Sequence, residues 1–416
     1  FFYVIPAWLA SNGASTVAVA GVVSASILPW TLKFFLGFVM DRYTYLPMGR
    51  RRIWIICSQA TIVAILLFAA ILSPGSSEIW LLSLLGFLVN AGTAFQDVSI
   101  DSLAVDIMPE DERAKAAGIM FGGQVLGISS TTFVAGQLIA IHGPVAGYLV
   151  ASVVVTCVLI FGIAIREREG EGRFPWSDGK AHPRNVALQV DAWVPLLLNS
   201  AKSMLAPLSL IALLIFFVRS MPSGVAEAYH PGLATQLGGW SQTDYTGTVS
   251  AAQFAAGLFA LTLGGWSVAK IGAQRAGLVM CMLIGVVALS FGLARSYWDN
   301  ASLLTGFFWQ GEFLSVMMSV AFIPIAMRLC DPRVAATQFT LYMAASNIGR
   351  PLGNSVAAAS DASGTPQLMY FIVAGVFAVL TLIMWFVRFP TQAPKVEEIV
   401  EASQPVVAGQ PVPKLN

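Results

Sequence analysis

The chain has 416 residues, 56% of them hydrophobic and only 11% charged, with a mean hydropathy of +0.74. A soluble globular chain carries about 25% charged residues, so this composition excludes a soluble enzyme and a disordered scaffold and calls for a polytopic membrane protein. The net charge of +1 gives no field to attract nucleic acid. Four isolated cysteines, Cys57, Cys157, Cys281 and Cys330, form no CxxC or disulfide pattern and read as core packing residues.

The apolar stretch Phe1 to Leu9 is too short to cross about 30 Å of hydrocarbon and lacks a signal peptide's basic segment, so it reads as the end of a truncated first helix. Together with this partial span over 1–10, hydropathy predicts spans over 16–40, 53–73, 79–105, 114–140 and 144–165, which make a first bundle over 1–165. A polar stretch at 166–203, with Pro175, Pro183 and Pro195, reads as a linker. A second bundle over 204–388 then holds spans at 205–229, 244–268, 276–294, 300–328, 335–357 and 367–388, before a tail over 389–416. The expectation is an all-α fold of about twelve spans in two six-helix bundles.

Of the 23 lysines and arginines, all but four fall on the linker's side of the membrane; Arg295 lies opposite, and Lys33, Arg219 and Arg350 fall within spans. The positive-inside rule makes that side, with both termini, cytoplasmic. The two halves also echo each other. Asp111-Glu112-Arg113 and Asp331-Pro332-Arg333 open small-residue-rich helices at the same ordinal place, and Gly37 to Arg42 has a degenerate counterpart between Gly264 and Arg275. Such repeats are typical of secondary transporters, whose sites lie near the midplane between the repeats.

Gly37-x-x-x-Asp41-Arg42 followed by Gly49-Arg50-Arg51-Arg52 resembles the loop between helices 2 and 3 of the major facilitator superfamily, widened by four residues around Tyr43 to Leu46. Ala7-Trp8-Leu9 then Gly13, Pro29 to Phe34, Gln96-Asp97-x-x-x-Asp101, and Ala336 to Phe339 followed by Gly349-Arg350 resemble the AmpG-like muropeptide permeases and the related acetyl-CoA and siderophore transporters. The resemblance implies alternating access and proton-coupled import, through the inner membrane, of a bulky anion such as an anhydro-muropeptide. A siderophore, an acyl-CoA-like solute, or a non-transporting receptor or assembly factor of the same fold stands as the alternative. Substrate, protons and lipid are the expected partners of a monomer without cofactor or metal.

Charges within hydrocarbon cost about 2.5–3.5 kcal/mol each on insertion scales and are functional candidates by default. Lys33, between Trp30 and Phe34, either lines the pathway or serves as counter-ion to Asp97 or Asp101, which share one face of their helix at i,i+4. Arg219 and Glu227 flank Pro222 and Gly224, where the helix can break, although either can instead reach the outer interface. Glu312 follows Trp309 and Gln310, and Arg350 lies between Asn347 and Asn354. The expected substrate site comprises Trp30, Lys33, Gln96, Arg219, Trp309, Gln338, Asn347 and Arg350, with Asp97, Asp101 and Glu312 as proton carriers.

Gly37, Asp41, Arg42, Arg50 and Arg51 form the expected gate. Asp41, at a helix end, faces the N-terminus of the helix that opens near Arg333, a favourable charge–dipole contact. Arg50 to Arg52 can alternatively set topology and touch anionic lipid. His142, His182 and His230 fall in loops or at span ends without metal-like spacing, and Trp8, Trp80, Trp193, Trp240 and Trp298 read as interfacial anchors. An intramembrane enzyme would need a nucleophile–base pair such as Ser with His, or an HExxH helix, and no histidine is expected within the spans; a primary pump would need a GxxxxGK(S/T) phosphate loop, and the sequence has none.

Overall fold

The computed structural model describes residues 4–12, 14, 16–190, 192–240 and 242–391, and every regular element among them is a helix. The first group is α1 (Val4–Ser11), α2 (Thr16–Thr31), α3 (Lys33–Arg42), α4 (Arg52–Leu72), α5 (Ile79–Ile107), α6 (Arg113–His142) and α7 (Pro144–Ala164). Two short helices of the linker, α8 (Pro183–Ala187) and α9 (Trp193–Met204), lead to α10 (Pro207–Arg219), α11 (Met221–Gly232), α12 (Gln242–Phe259) and α13 (Gly265–Ile271). The chain continues through α14 (Ala273–Leu293), α15 (Ala301–Leu329), α16 (Ala335–Ala362) and α17 (Gln367–Phe386).

Among the described residues, nine helical stretches are long and apolar enough to cross a membrane, and the bent pair α2–α3 makes a tenth. At 1.5 Å per residue the 21 residues of α4 reach about 32 Å, which matches the hydrocarbon thickness. With 28 residues α16 is as long as these, but Thr337, Gln338, Asn347 and Arg350 dilute its hydropathy. Each expected span therefore meets a helix, the first as the eight-residue α1. Gly13 and residues 392–416 lie outside the described residues.

Three spans are interrupted where their sequences allow it. Pro29 cannot donate to the helical ladder, and the span bends by 40° just after it, so that Lys33 opens α3. The next break falls at Ser220, ahead of Pro222 in the first turn of α11. This span continues through a π-helical turn to Leu237, eight residues beyond the expected 229. A second π-helical turn, Ala260–Gly264, joins α12 to α13.

Within the first bundle α4 packs on α5 and α7, and α2 on α5; within the second, α14 packs on α15 and α17, and α16 on α10 and α11. Small residues set the distances: a Cβ on Gly224, Gly349 or Gly353 would strike the backbone of the facing helix. The bundles meet where α3 crosses α16 and where α6 crosses α12 and α13. The two crossings repeat one another. Gly37 lies on the backbone of Ala336 and Thr337, and Gly265 lies on the backbone of Ala114 and Lys115, which gives the degenerate sequence repeat its structural meaning.

Two expectations are corrected here. Cys57 and Cys157 are exposed on the outer faces of their helices, so only Cys281 and Cys330 pack in the core. Trp298 is no interfacial anchor: it is 3% exposed, donates its indole N–H to the Phe291 carbonyl at 2.9 Å, and stacks on the Phe291 ring.

The linker is docked, not free. Gly172 N–H donates to the Pro47 carbonyl, Tyr45 Oη to the Pro175 carbonyl, and Thr44 Oγ1 to Gln189 Oε1. The residues that widen the loop after α3 are thus the ones that receive the linker. Farther on, buried Leu196 of α9 joins Val190, Val334 and Phe38 in one apolar cluster, tying the linker to α3 and to the start of α16.

Candidate functional site

A cavity of about 940 Å³ lies between the bundles, at the large end of the range for small-molecule sites. Trp30, Lys33, Gln96, Asp97 and Asp101 line it from the first bundle, and Arg219, Glu227, His230, Glu312, Asn347 and Arg350 from the second.

On the first side, the bend after Pro29 carries Lys33 towards α5. Its ammonium pairs with Asp97, lies 3.7 Å from Asp101, and stands 5.7 Å from the Trp30 ring. Trp30 is held in turn by an N–H bond to Asn90 Oδ1 at 3.0 Å. Lys33 is thus a counter-ion that also lines the cavity. Asp101, at 15% side-chain exposure, completes this triad.

On the second side, Arg219 does not reach for an interface. Its Nε donates to Ser346 Oγ at 2.8 Å and its Nη1 to Ser319 Oγ at 3.0 Å, with the guanidinium over the Phe216 ring. Glu227 also points inward, 3.1 Å from Arg350. Glu312 is hydrogen-bonded by the Gln253 side chain.

Two expected site residues stand off the cavity. Trp309 follows Phe308 by 100° of helical turn and faces outward at 42% exposure, while Phe308, Glu312, Ser315 and Ser319 keep the inner face. Gln338 is buried beside the α15–α16 loop, where it donates to the Leu329 carbonyl and Tyr342 Oη and accepts from Asp331 N–H. It shapes that turn and does not line the cavity.

His230 is the residue that the sequence reading missed. It is not at a span end, because the π-helical turn extends its helix; it lines the cavity against Phe307, Phe308 and Tyr370, with Nε2 unbonded. The notion that no histidine lies among the spans is therefore wrong.

At the end of the molecule that carries the linker, a buried ionic cluster joins the bundles. Asp41 Oδ2 accepts the Thr337 backbone N–H at 2.9 Å, in the first turn of α16, and its Oδ1 accepts from Arg51 Nη2 at 2.7 Å. Arg50 donates to the Pro332 and Arg333 carbonyls at 2.6 and 2.7 Å, so the loop before α16 is gripped from both sides. Arg51 also bonds Asp106 at 2.8 Å. Asp41, Arg50 and Arg51 have no exposed surface, which excludes lipid contact for these two arginines. Arg42 stays apart from the cluster, its guanidinium over the Tyr43 ring.

The linker completes this cluster. Glu167 accepts the backbone N–H groups of Arg50, Arg51 and Arg52 at 3.0, 2.8 and 3.1 Å, capping α4 with a carboxylate where the helix dipole favours one. Asn185 Nδ2 bridges Glu167 to Glu171. Burial, and then the neighbouring Glu167 charge, pushes Glu171 from an ordinary 4.5 up to about 7, against the pull of Arg168 and Arg52. The docked linker therefore binds a proton that the free linker releases, and docking is strongest below about pH 4.5 and weakens as pH rises towards about 7. Limited proteolysis across that range should show segment 166–190 becoming more susceptible with rising pH, and Glu171→Gln should hold it protected throughout. Identical profiles for the two proteins would contradict this account.

The sequence also compares with known proteins. A model of the Major Facilitator Superfamily matches residues 1–354. An anhydromuropeptide permease of Escherichia coli (strain K12) is 23% identical over 373 residues, covering 85% of this chain and 70% of its own length. A folate-biopterin transporter of Synechocystis is 23% identical over 368 residues, covering 83% and 67%. Among solved structures, the proton:xylose symporter XylE matches with a TM-score of 0.68 at 13% identity, over 96% of this chain and 92% of that one.

Proposed function

This chain belongs to the major facilitator superfamily, and from that premise we propose that it is a proton-coupled importer of a bulky solute bearing an acidic group, such as an anhydro-muropeptide. One observation carries the reading: a cavity walled by charged side chains of both bundles, shut at the linker end by the bond from Thr337 to Asp41. The basic residues gathered at that end make it cytoplasmic under the positive-inside rule, so this state faces outward and the termini lie inside. In this reading the two bundles run over 1–165 and 204–388, joined by the linker 166–203.

Trp30, Lys33, Gln96, Arg219, Asn347 and Arg350 contact the solute in this reading, and Gly37, Asp41, Arg50 and Arg51 form the inner gate. Asp97, Asp101 and Glu312 carry the proton. Asp97 is favoured because it lines the cavity, pairs with a lysine at a helix break, and has Asp101 one turn towards the linker end. A proton on Asp97 weakens its hold on Lys33, which couples protonation to the bend between α2 and α3.

In proteoliposomes with an imposed proton gradient, radiolabelled anhydro-muropeptide should accumulate, and an ionophore should abolish the accumulation. Asp97→Asn should lose gradient-driven uptake and retain substrate counterflow. Full gradient-driven uptake by that variant removes Asp97 from the coupling step, and wild-type uptake indifferent to the ionophore overturns proton coupling.

A further inference from the structure

The charges lining the cavity do not describe a site for a polyanion. Among the described residues three cations, Lys33, Arg219 and Arg350, face four carboxylates, Asp97, Asp101, Glu227 and Glu312. Lys33 is held by Asp97 and Asp101, and Arg350 by Glu227. Two groups remain outside any ion pair. Arg219 bonds the two serine hydroxyls and lies over the Phe216 ring with the Arg350 charge near it, and among the described residues its Nη2 donates to no side chain. Glu312 is hydrogen-bonded by Gln253, has the Glu227 carboxylate near enough to repel it, and pairs with no cation among the described residues.

Removing a charge from water costs several kcal/mol unless a partner replaces the water, so each of these groups asks a ligand for its complement. A guanidinium with free N–H groups suits a carboxylate. A carboxylate walled by rings suits an ammonium, because aromatic faces also attract cations: Phe307, Phe308 and Tyr245 line the same wall, and Tyr245 lies in edge contact with Phe308, one turn from Glu312.

One helix carries Glu312 and the serine that anchors Arg219. Ser319, which holds Arg219, and Glu312 lie seven residues apart on the inner face of α15, two turns and about 10 Å along its axis. An extended peptide of three residues spans about 10 Å. We propose that the cavity selects a dipolar solute with the ends of a short peptide, its carboxylate on Arg219 and its ammonium near Glu312, and that it discriminates against polyanions. This rests on reading the cavity as the solute site. It also turns the bulky anion expected from the sequence into a zwitterionic moiety, and sets acyl-CoA-like solutes aside.

The test is a thermal-shift titration of the purified full chain in detergent with four probes: trialanine, N-acetyl-trialanine, trialanine amide and tripolyphosphate. Trialanine should stabilise the protein, and each blocked peptide should bind at least tenfold more weakly. Glu312→Gln should erase the preference for a free amine and keep that for a free carboxylate; Arg219→Gln should do the reverse, with Arg219→Lys in its place if the glutamine variant does not purify. No shift with trialanine, equal binding of the blocked peptides, or tighter binding of tripolyphosphate overturns the proposal. These outcomes are independent of the gradient assay, so failure here leaves proton-driven transport standing, and failure there leaves this selectivity standing.

Discussion

Asp41→Asn is expected to release the linker end of the protein. The substitution keeps the shape of the side chain but removes the charge that faces two buried guanidinium groups and the first turn of α16. One amide oxygen cannot replace two carboxylate oxygens that accept from Arg51 and from Thr337 at once. Removing one partner of a buried ion pair costs about 3–5 kcal/mol, since the remaining charge stays buried. Asp106 still faces Arg51, which places the loss at the lower end, about 3 kcal/mol. Only the Thr337 bond crosses between the bundles, since Arg50 and Arg51 belong to the same bundle as Asp41, so the part of the loss that falls on the closed state alone is that of one hydrogen bond to a charged group, about 1.5–3 kcal/mol. That part shifts the balance between closed and open by about tenfold to a hundredfold. Hydrogen exchange should report this as faster exchange in residues 335–340, with the core of α14 unchanged. If exchange at Thr337 to Thr340 matches that of the native protein, the bond to Asp41 is not what holds the bundles together.

How much of this was readable beforehand depends on the range over which each contact acts. The latch was readable, because Asp41 stands at a helix end and Asp331-Pro332-Arg333 announces a helix start, both local signals. The burial of Arg50 to Arg52 was not. Their counter-charges Asp106 and Glu167 lie 55 and 116 residues away along the chain, and nothing local marks either one as their partner. Three adjacent arginines in a loop look solvated until the linker folds over them.

Inside the membrane the same division holds. Lys33, Asp97 and Asp101 were found as a group because a charge in hydrocarbon needs a partner and the two aspartates share a helix face. His230 was hidden by Pro231 and Gly232, which end most helices, whereas here a π-helical turn carries the span on to Leu237. Trp309 was misplaced by one residue of helical phase, which a hydropathy window does not resolve. Gln338 was right in its helix and wrong in its direction, since the turn it secures is visible only once α15 and α16 are folded back on each other.

A loss of stability of the same order is expected at Lys33. Lys33→Met preserves the length of the side chain and leaves Asp97 and Asp101 facing each other without a cation, at 27% and 15% side-chain exposure. Partial access of water to Asp97 moderates the cost, which we set at about 3 kcal/mol, at the lower end for a broken buried pair. In a purified sample this should appear as a clear fall in Tm and a lower yield. The double variant Lys33→Met with Asp97→Asn removes one of the two stranded charges. If the triad acts as a unit, the double variant recovers most of the lost Tm, because energies of residues in contact do not add. It should nevertheless stay inactive in gradient-driven uptake, since both the cation and its titratable partner are gone. Stability and coupling then separate in one experiment: recovery of Tm without recovery of uptake assigns both roles to the same triad. A Lys33→Met protein with native Tm would mean that the two carboxylates find their balance elsewhere and that the lysine serves the solute alone.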